Sequence, residues 1–266
     1  MKSKKSENMK ITLNITKSLQ QNIADCHERI KENRKKMEGV EKAIEDTKKE
    51  TETAQKEERK KKADVRVKKE KRWFEKFNWF YTSDGKMAIG GKDAKQNDNV
   101  FAKHMEDSDL FFHADIQGGT AVILKEGKTA TDIEKMETAQ FAASFSNAWK
   151  NCNAAVDVYC VEKSQLAKHA TGGYIPTGGF AITGEREWFK MTKLGLKLGT
   201  GENGLEIIPE CSKRKLKDEI SLVPASTGKE KGQIAKSLAK RFNVHPDELL
   251  QILPSGKIKT SVMRID

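Results

Sequence analysis

The stretch KKEKRWFEKFNWFYTSDGKMAIGG, residues 68–91, marks an abrupt change in the character of the chain. It opens with charged residues and then places six aromatic side chains within nine residues, from Trp73 to Tyr81. Clustered aromatic side chains are typical of a packed core, although stacking platforms for nucleic-acid bases share this composition. Asp84-Gly85, between two β-prone runs, predicts a tight hairpin turn. We therefore expect a compact domain to begin at residue 73.

Downstream of this hairpin the pattern predicts further strands and one long helix. A second hairpin is expected around Gly118-Gly119, and a helix over residues 131–150. The apolar face of that helix is expected to comprise Ile133, Met136, Ala139, Gln140, Ala143, Phe145 and Ala148. Additional strands are predicted in VDVYCVE (156–162), GGFAITG (178–184) and EISLVPAS (219–226), followed by two helices over 229–242 and 246–253 and a basic, strand-like end. This order is typical of an α+β domain with a mainly antiparallel sheet.

Upstream, the sequence predicts a coiled-coil arm. Apolar and small residues recur with an unbroken 4-3-4-3 spacing and no proline between them, at Leu19, Ile23, Cys26, Ile30, Asn33, Met37, Val40, Ile44, Thr47, Thr51 and Ala54. Such a narrow stripe must pack against another helix. The predicted organisation is a basic arm over 1–72, a compact domain over 73–190 and a C-terminal extension over 191–266, and the arm's partner helix is expected in a second copy or another protein.

Charge is distributed unevenly along these three segments. Residues 1–72 carry 23 basic and 14 acidic side chains, residues 73–190 carry 13 and 16, and residues 191–266 carry 14 and 9. The highest density of basic residues lies between Arg59 and Arg72. This run contains nine basic residues and two acidic ones, Asp64 and Glu70. A polyanion would be attracted to this run, although many charge runs are simply solvated helix faces.

The sequence offers few signs of other function classes. It contains neither an apolar stretch of membrane-spanning length nor a signal-peptide pattern, so a cytoplasmic protein is expected. The four cysteines lack CxxC pairing, and neither a P-loop nor a metal-ligand spacing appears, so we expect no metal and no cofactor. His113, Asp115 and Lys125 are residue types that support acid–base chemistry when they lie close together. A satisfied structural pair at His113 and Asp115 is favoured over an acid–base site, and no enzymatic activity is expected.

Alternation along DLFFHADI (109–116) predicts which side chains face solvent. Leu110, Phe112, Ala114 and Ile116 form the more uniformly apolar set and are expected to face the core. Phe111, His113 and Asp115 then lie on the opposite face, with His113 and Asp115 at least partly accessible beside a turn of two glycines. Such a turn would let a nucleic-acid backbone approach closely.

Four motifs resemble the RNA-binding domain of the NFACT family, ribosome-associated quality control factors that act on the large ribosomal subunit. They are RWFEKFNWFYTSDGKMAIGGKDAKQND (72–98), DLFFHADIQGGTAVILK (109–125), AQFAASFSNAW (139–149) and GGYIPTGGFAITG (172–184). Residues 14–39 resemble the helix that leads into this domain, and VPASTGKEKGQIAKSLAKRF (223–242) resembles the extension of archaeal members. The tail-synthesis activity of the family's N-terminal domain is not carried over to these residues. Three alternatives for the extent of this chain stay open: a natural short form, half of a split protein and a cloned piece.

The resemblance implies RNA as the ligand, with the large ribosomal subunit and tRNA as partners. The residues expected to contact RNA lie in the basic run, in the GGKDAKQND loop and around the second hairpin: Lys61, Lys62, Arg66, Lys68, Lys69, Lys71, Arg72, Lys92, Lys95, Asn97, His113, Asp115, Gly118 and Gly119. The alternatives are a coiled-coil assembly protein that binds itself or a separately encoded N-terminal half, and a nucleic-acid-modifying enzyme that uses His113 and Asp115.

Overall fold

The computed structural model describes residues 12–64, 72–168 and 175–262. In the arm, side chains are described as far as residue 51. Its contacts divide the chain into two units, residues 1–70 and 71–266. The helices are α1 (Leu19–Asp64), α2 (Ala94–His104), α3 (Asp132–Ser144), α4 (Asn147–Lys150), α5 (Lys231–Phe242) and α6 (Pro246–Ile252). The strands are β1 (Asn78–Tyr81), β2 (Met87–Gly90), β3 (Leu110–Ala114), β4 (Val122–Leu124), β5 (Ala155–Glu162), β6 (Leu166–Ala167), β7 (Ala181–Ile182), β8 (Glu187–Lys193), β9 (Leu196–Gly201), β10 (Gly204–Pro209), β11 (Lys217–Glu230) and β12 (Lys257–Val262). None of the described helices is long and apolar enough to cross a membrane.

The first unit contains the predicted long helix, α1. At its start the chain folds back: the Asn14 N–H donates to Asn22 Oδ1 at 2.8 Å, and the Asn22 amide donates in return to the Asn14 carbonyl at 3.0 Å. Six large apolar side chains of the predicted heptad seam, Leu19, Ile23, Ile30, Met37, Val40 and Ile44, are 50–69% exposed. The seam thus presents an apolar stripe on the surface of its own unit.

The second unit is built on a six-stranded antiparallel sheet of order β1-β2-β4-β3-β5-β8. The two predicted hairpins are confirmed. β1 pairs with β2 across a turn in which Gly85 has a φ of +93°, and β3 pairs with β4. Both glycine-containing turns therefore lie where the sequence places them.

Both faces of this sheet are covered at β3. Phe112 and Ala114 belong to the core that contains residues of α3, whereas Phe111 packs with Phe77 and with Val100 of α2. The expectation that the Phe111 face is the solvent side is wrong at Phe111, which is fully buried. The layer over this face includes residues 74–77 and α2, which the strand alternation alone does not reveal.

The predicted helix over 131–150 is two helices. Thr131 and Glu134 form a capping box at the start of α3, and Ser146 caps α4, its side chain accepting from the Ala148 N–H. The predicted apolar face is also partly wrong, since Ile133 and Met136 are 40% and 45% exposed.

Two carboxylates take the place of Ile133 and Met136 on the buried face of α3. Glu134 and Glu137 are fully buried. Glu134 accepts from the Thr82 hydroxyl at 2.8 Å, and Glu137 accepts from the Ser83 N–H at 2.8 Å. These buried acids tie α3 to the β1–β2 turn and thereby remain satisfied.

A second antiparallel sheet, of order β10-β9-β11-β12, carries α5 and α6. Its buried residues, including Leu198 and Ile220, share one hydrophobic core with Phe112 and Trp149 of the preceding region. The predicted boundary at residue 190 falls inside β8, so the extension completes the same packed unit as the residues before it.

Candidate nucleic-acid interface

The glycine turn between β3 and β4 is bonded to Asn147 through two adjacent residues. The Gly118 carbonyl accepts from the Asn147 N–H at 3.2 Å, and the Asn147 amide donates to the Gln117 carbonyl at 2.9 Å. Gly118 has a φ of +80°, and a Cβ there would lie 2.0 Å from the Asn147 amide nitrogen. The turn thus has a fixed position on α4 that only glycine permits.

His113 lies against this turn with its ring among aromatic neighbours. The ring stacks parallel to Phe111 with centroids 6.2 Å apart and tilts against Tyr159 at 5.7 Å. A Cβ on Gly119 would come within 2.6 Å of His113 Cε1, so the glycine lets the ring pack directly on the backbone. Asp115, just beyond the strand, is exposed.

Burial lowers the pKa of His113, and this effect outweighs the opposing attraction of the Ala114 and Gly119 carbonyls and of the Asp115 carboxylate. Nδ1 of the ring is buried and has no hydrogen-bond partner among the described residues. The ring is therefore neutral at pH 7 and retains an unused polar atom.

The trio of His113, Asp115 and Lys125 is not assembled. In the β3–β4 pairing Leu110 is opposite Leu124, so Lys125 follows the far end of β3. Its ammonium contacts Asp109 Oδ2 at 2.6 Å and the His104 carbonyl at 3.0 Å. The antiparallel register thus separates the lysine from the histidine. In the parts of the chain that the structure describes, no group of three His, Cys, Asp or Glu side chains is placed to hold a metal ion.

The loop before α2 divides into exposed and buried residues. Asp93 caps the helix by accepting from the Gln96 N–H at 2.8 Å, and Lys92 and Lys95 are exposed beside this cap. Asn97 is only 7% exposed, and its amide oxygen accepts from the Ala121 N–H at 3.2 Å. This side chain thus binds α2 to the residue that precedes β4, and little of it is accessible for the RNA contact that the sequence predicts.

The basic run lies largely outside the described residues. This holds for Arg66, Lys68, Lys69 and Lys71, and for the side chains of Lys61 and Lys62. Arg72 is exposed; its Nη1 donates to Asn203 Oδ1 at 2.5 Å and its guanidinium lies 5.9 Å from the Phe74 ring.

A row of rings that crosses three adjacent strands is not indicated by any one segment of the sequence. His113 on β3 is opposite Tyr159 on β5, and Tyr159 is opposite Trp188 on β8. The Tyr159 and Trp188 centroids are 5.5 Å apart. β8 is the outer strand of the sheet, and Trp188 is 38% exposed. We call His113, Tyr159 and Trp188 the aromatic row.

Two cations lie on the aromatic row. The Arg186 guanidinium is 4.7 Å from the Tyr159 centroid, and the Lys190 ammonium is 3.9 Å from that of Trp188. Lys190 also pairs with Asp157 at 2.8 Å. This hydrogen bond and that from the Met191 N–H hold the pKa of Asp157 below its usual range. The alternation of Arg186, Trp188 and Lys190 was the available signal, since it places all three on one face of a strand.

Known proteins match this part of the chain. Residues 76–184 match the family described as NFACT protein RNA binding domain. The archaeal Rqc2 homolog aRqcH of Methanocaldococcus jannaschii is 35% identical over 201 residues, covering 72% of this chain and 30% of that protein. The ribosome quality control complex subunit NEMF homolog of Drosophila melanogaster is 36% identical over 129 residues, covering 47% and 13% respectively. Ribosome quality control complex subunit 2 of Schizosaccharomyces pombe is 32% identical over 140 residues, covering 51% and 14%. The chain thus spans less than a third of the length of these relatives.

Proposed function

We propose that this chain, which carries an NFACT protein RNA binding domain over residues 76–184, binds RNA of the large ribosomal subunit and serves ribosome-associated quality control in the cytoplasm. The observation that carries the proposal is this family match, extended to 72% of the chain by the archaeal relative. We extend the proposal to tRNA as a second RNA partner. The chain is proposed to act by binding, without a catalytic step of its own.

The geometry supports RNA as the ligand through the local placement of charge. The domain is slightly acidic as a whole, yet two of its carboxylates, Glu134 and Glu137, are fully buried and cannot face a polyanion. Exposed cations lie on the aromatic row, at Arg186 and Lys190, and on the loop and first turn of α2, at Lys92 and Lys95. Cations and aromatic rings on one sheet are the usual components of an RNA-binding surface.

The test is salt-titrated binding of the full chain to isolated large ribosomal subunits and to tRNA. In the basic run, replacing Lys61, Lys62, Lys68 and Lys69 with Gln should weaken binding and flatten the log–log dependence on salt by roughly 0.7–0.9 per lost phosphate contact.

The matched control replaces Lys31, Lys35, Lys42 and Lys48 with Gln, which changes the charge of the same arm by the same amount. These four side chains are exposed along α1 and lie outside the basic run. An equal loss of slope in both quadruple variants would assign the effect to net charge and refute specific contacts at the basic run.

A second candidate function is assembly through the arm, and the exposed seam of α1 favours it. Ile30 and Met37 are 51% and 62% exposed, and burial of such side chains stabilises helix pairs. We expect the isolated chain to be monomeric or weakly dimeric and to bind an antiparallel helix from an NFACT N-terminal half. Sedimentation that shows a tight homodimer at sub-micromolar concentration would contradict the partner helix and favour self-association.

A further inference from the structure

We propose that the aromatic row, His113, Tyr159 and Trp188 together with Arg186 and Lys190, is a platform on which unpaired RNA bases stack, so that this domain prefers single-stranded RNA to duplex RNA. The inference rests on the proposed function and specifies the form of RNA that the second unit recognises.

The three rings of the aromatic row are neighbours on the sheet. Adjacent strands bring His113, Tyr159 and Trp188 side by side on one sheet face, with successive centroids 5.7 and 5.5 Å apart. Tyr159 is only 7% exposed and its ring lies under the Arg186 guanidinium, so Trp188 is the ring of the row that the flat π face of a base can reach first.

Trp188 is exposed on the outer strand of the sheet. An indole on the outer strand of a sheet keeps apolar area in contact with water, and outer strands are usually protected by charged or polar residues. Trp188 is 38% exposed, although Phe189 next to it packs against the core from the other face. The indole therefore presents an accessible π face at the outer edge of the row, beside two cations, and a base can stack on it.

The Lys190 and Arg186 side chains place two cations next to the Trp188 ring. The Lys190 ammonium lies 3.9 Å from the Trp188 centroid, and the Arg186 guanidinium lies 5.8 Å from the same centroid. An arriving base can displace either group from the ring, after which the freed cation can pair with the adjoining phosphate. The cations thus protect the ring in the free protein and contribute to binding in the complex.

Two acidic residues beside the row favour binding of unpaired bases over binding of phosphate alone. Asp115 and Asp157 flank the row, and the Asp157 carboxylate is bonded to Lys190 at 2.8 Å. Such acids oppose a surface that attracts phosphate by charge alone, but they can accept hydrogen bonds from the amino groups of bases. Base faces and edges are available in single strands, whereas in a duplex stacking and pairing occupy them.

The experiment compares binding of the full chain to a labelled 12-nucleotide single strand and to a blunt duplex of the same length, by fluorescence anisotropy at fixed salt. Replacing Trp188→Leu keeps an apolar side chain but removes the π face. We expect it to reduce affinity for the single strand roughly 5- to 150-fold, the range that stacking of one base supplies, with less than about a twofold change for the duplex. Trp188→Phe should restore part of the loss.

The matched control is Trp73→Leu. Trp73 is 50% exposed and stacks on His104 at 4.5 Å, so it is another accessible indole that lies outside the aromatic row. It should leave both affinities unchanged. Near-UV circular dichroism of each variant shows whether the fold is intact.

The outcomes distinguish the two proposals. If the wild-type chain binds both RNAs and Trp188→Leu binds the single strand equally well, the platform is refuted and RNA binding stands. Equal losses for single strand and duplex, or an equal loss with Trp73→Leu, also refute the platform. If the wild-type chain binds neither these RNAs nor ribosomal subunits, both proposals fail.

Discussion

Replacing Gly119 with alanine tests whether the glycine turn determines the position of His113. The φ of Gly119 lies outside the left-handed region, so alanine can adopt its backbone conformation. The added methyl carbon would lie 2.6 Å from His113 Cε1, 2.8 Å from His113 Nε2 and 2.9 Å from the Ala114 carbonyl oxygen. The ring cannot easily move away, because it is packed against Phe111 and Tyr159. The cost of the substitution is therefore steric.

The expected magnitude follows from overpacking. Forcing a methyl group into a filled site costs about 1–3 kcal/mol of unfolding free energy. For a domain of this size each kcal/mol corresponds to roughly 2–4 °C, so the melting temperature should fall by about 2–12 °C. In a His113→Ala background two of the three contacts disappear and the Ala114 carbonyl remains. There Gly119→Ala should cost at least about 1 kcal/mol less than in the wild-type background.

The assay is urea unfolding of the wild-type chain, the two single variants and the double variant of this cycle. Unfolding is monitored by near-UV circular dichroism. Gly232→Ala is the control, because a Cβ at that position in α5 has no atom within 4 Å; it should not destabilise the chain and should raise the unfolding free energy by up to about 1 kcal/mol. A coupling between residues 113 and 119 of less than about 0.5 kcal/mol would show that the His113 ring is not the obstacle.

Three further predictions concern stability. Burial lowers the pKa of His113 and of His104, so the unfolded chain binds more protons below about pH 6.5. Unfolding free energy should therefore fall between pH 7 and 5, by at most about 1.36 kcal/mol per pH unit through the buried His113, and His113→Gln should flatten that slope; an unchanged slope contradicts the shift. Glu134→Ala removes the ion pair with Lys86 at 3.1 Å and should cost about 3 kcal/mol in urea unfolding, whereas a change below about 1 kcal/mol would show that the pair is dispensable. Gly39→Ala, in the middle of α1 with no atom within 4 Å of the new Cβ, should stabilise the arm helix by up to about 1 kcal/mol, measured as a higher melting temperature at 222 nm; a lower one would imply a partner that needs the glycine.

The fold was predictable where a short stretch of sequence determines its own conformation. Asp84-Gly85 specifies a hairpin because Gly85 supplies the positive φ of the turn, and the 4-3-4-3 spacing specifies the long helix. The face of α3 was not predictable by this means. Glu134 is buried because Thr82 and Lys86, about fifty residues earlier, supply its partners. An apolar pattern cannot reveal such contacts, because they form only after the hairpin packs on the helix.

The candidate site was predictable only in part, for a related reason. The position of His113 beside two glycines follows from strand alternation and the turn. The burial of Asn97 and the displacement of Lys125 depend on helix packing and strand register, which single-segment patterns do not specify. The aromatic row depends on three strands that are distant in sequence, and β5 joins β8 across a register shift between Val156 and Val158. Its members become neighbours only in the folded sheet.

Phosphate contacts and base stacking in one chain would respond differently to salt. The salt dependence therefore distinguishes the contribution of each unit to RNA affinity. The proposed contacts of the basic arm with phosphates would release counterions, so their share of the affinity would fall steeply as salt rises. Stacking on Trp188 releases few counterions, and its share of the affinity should change little. Raising the salt concentration should therefore lower total affinity while it increases the preference for single strands over duplexes. Under those conditions the second unit, rather than the charge of the arm, would determine which RNA is selected.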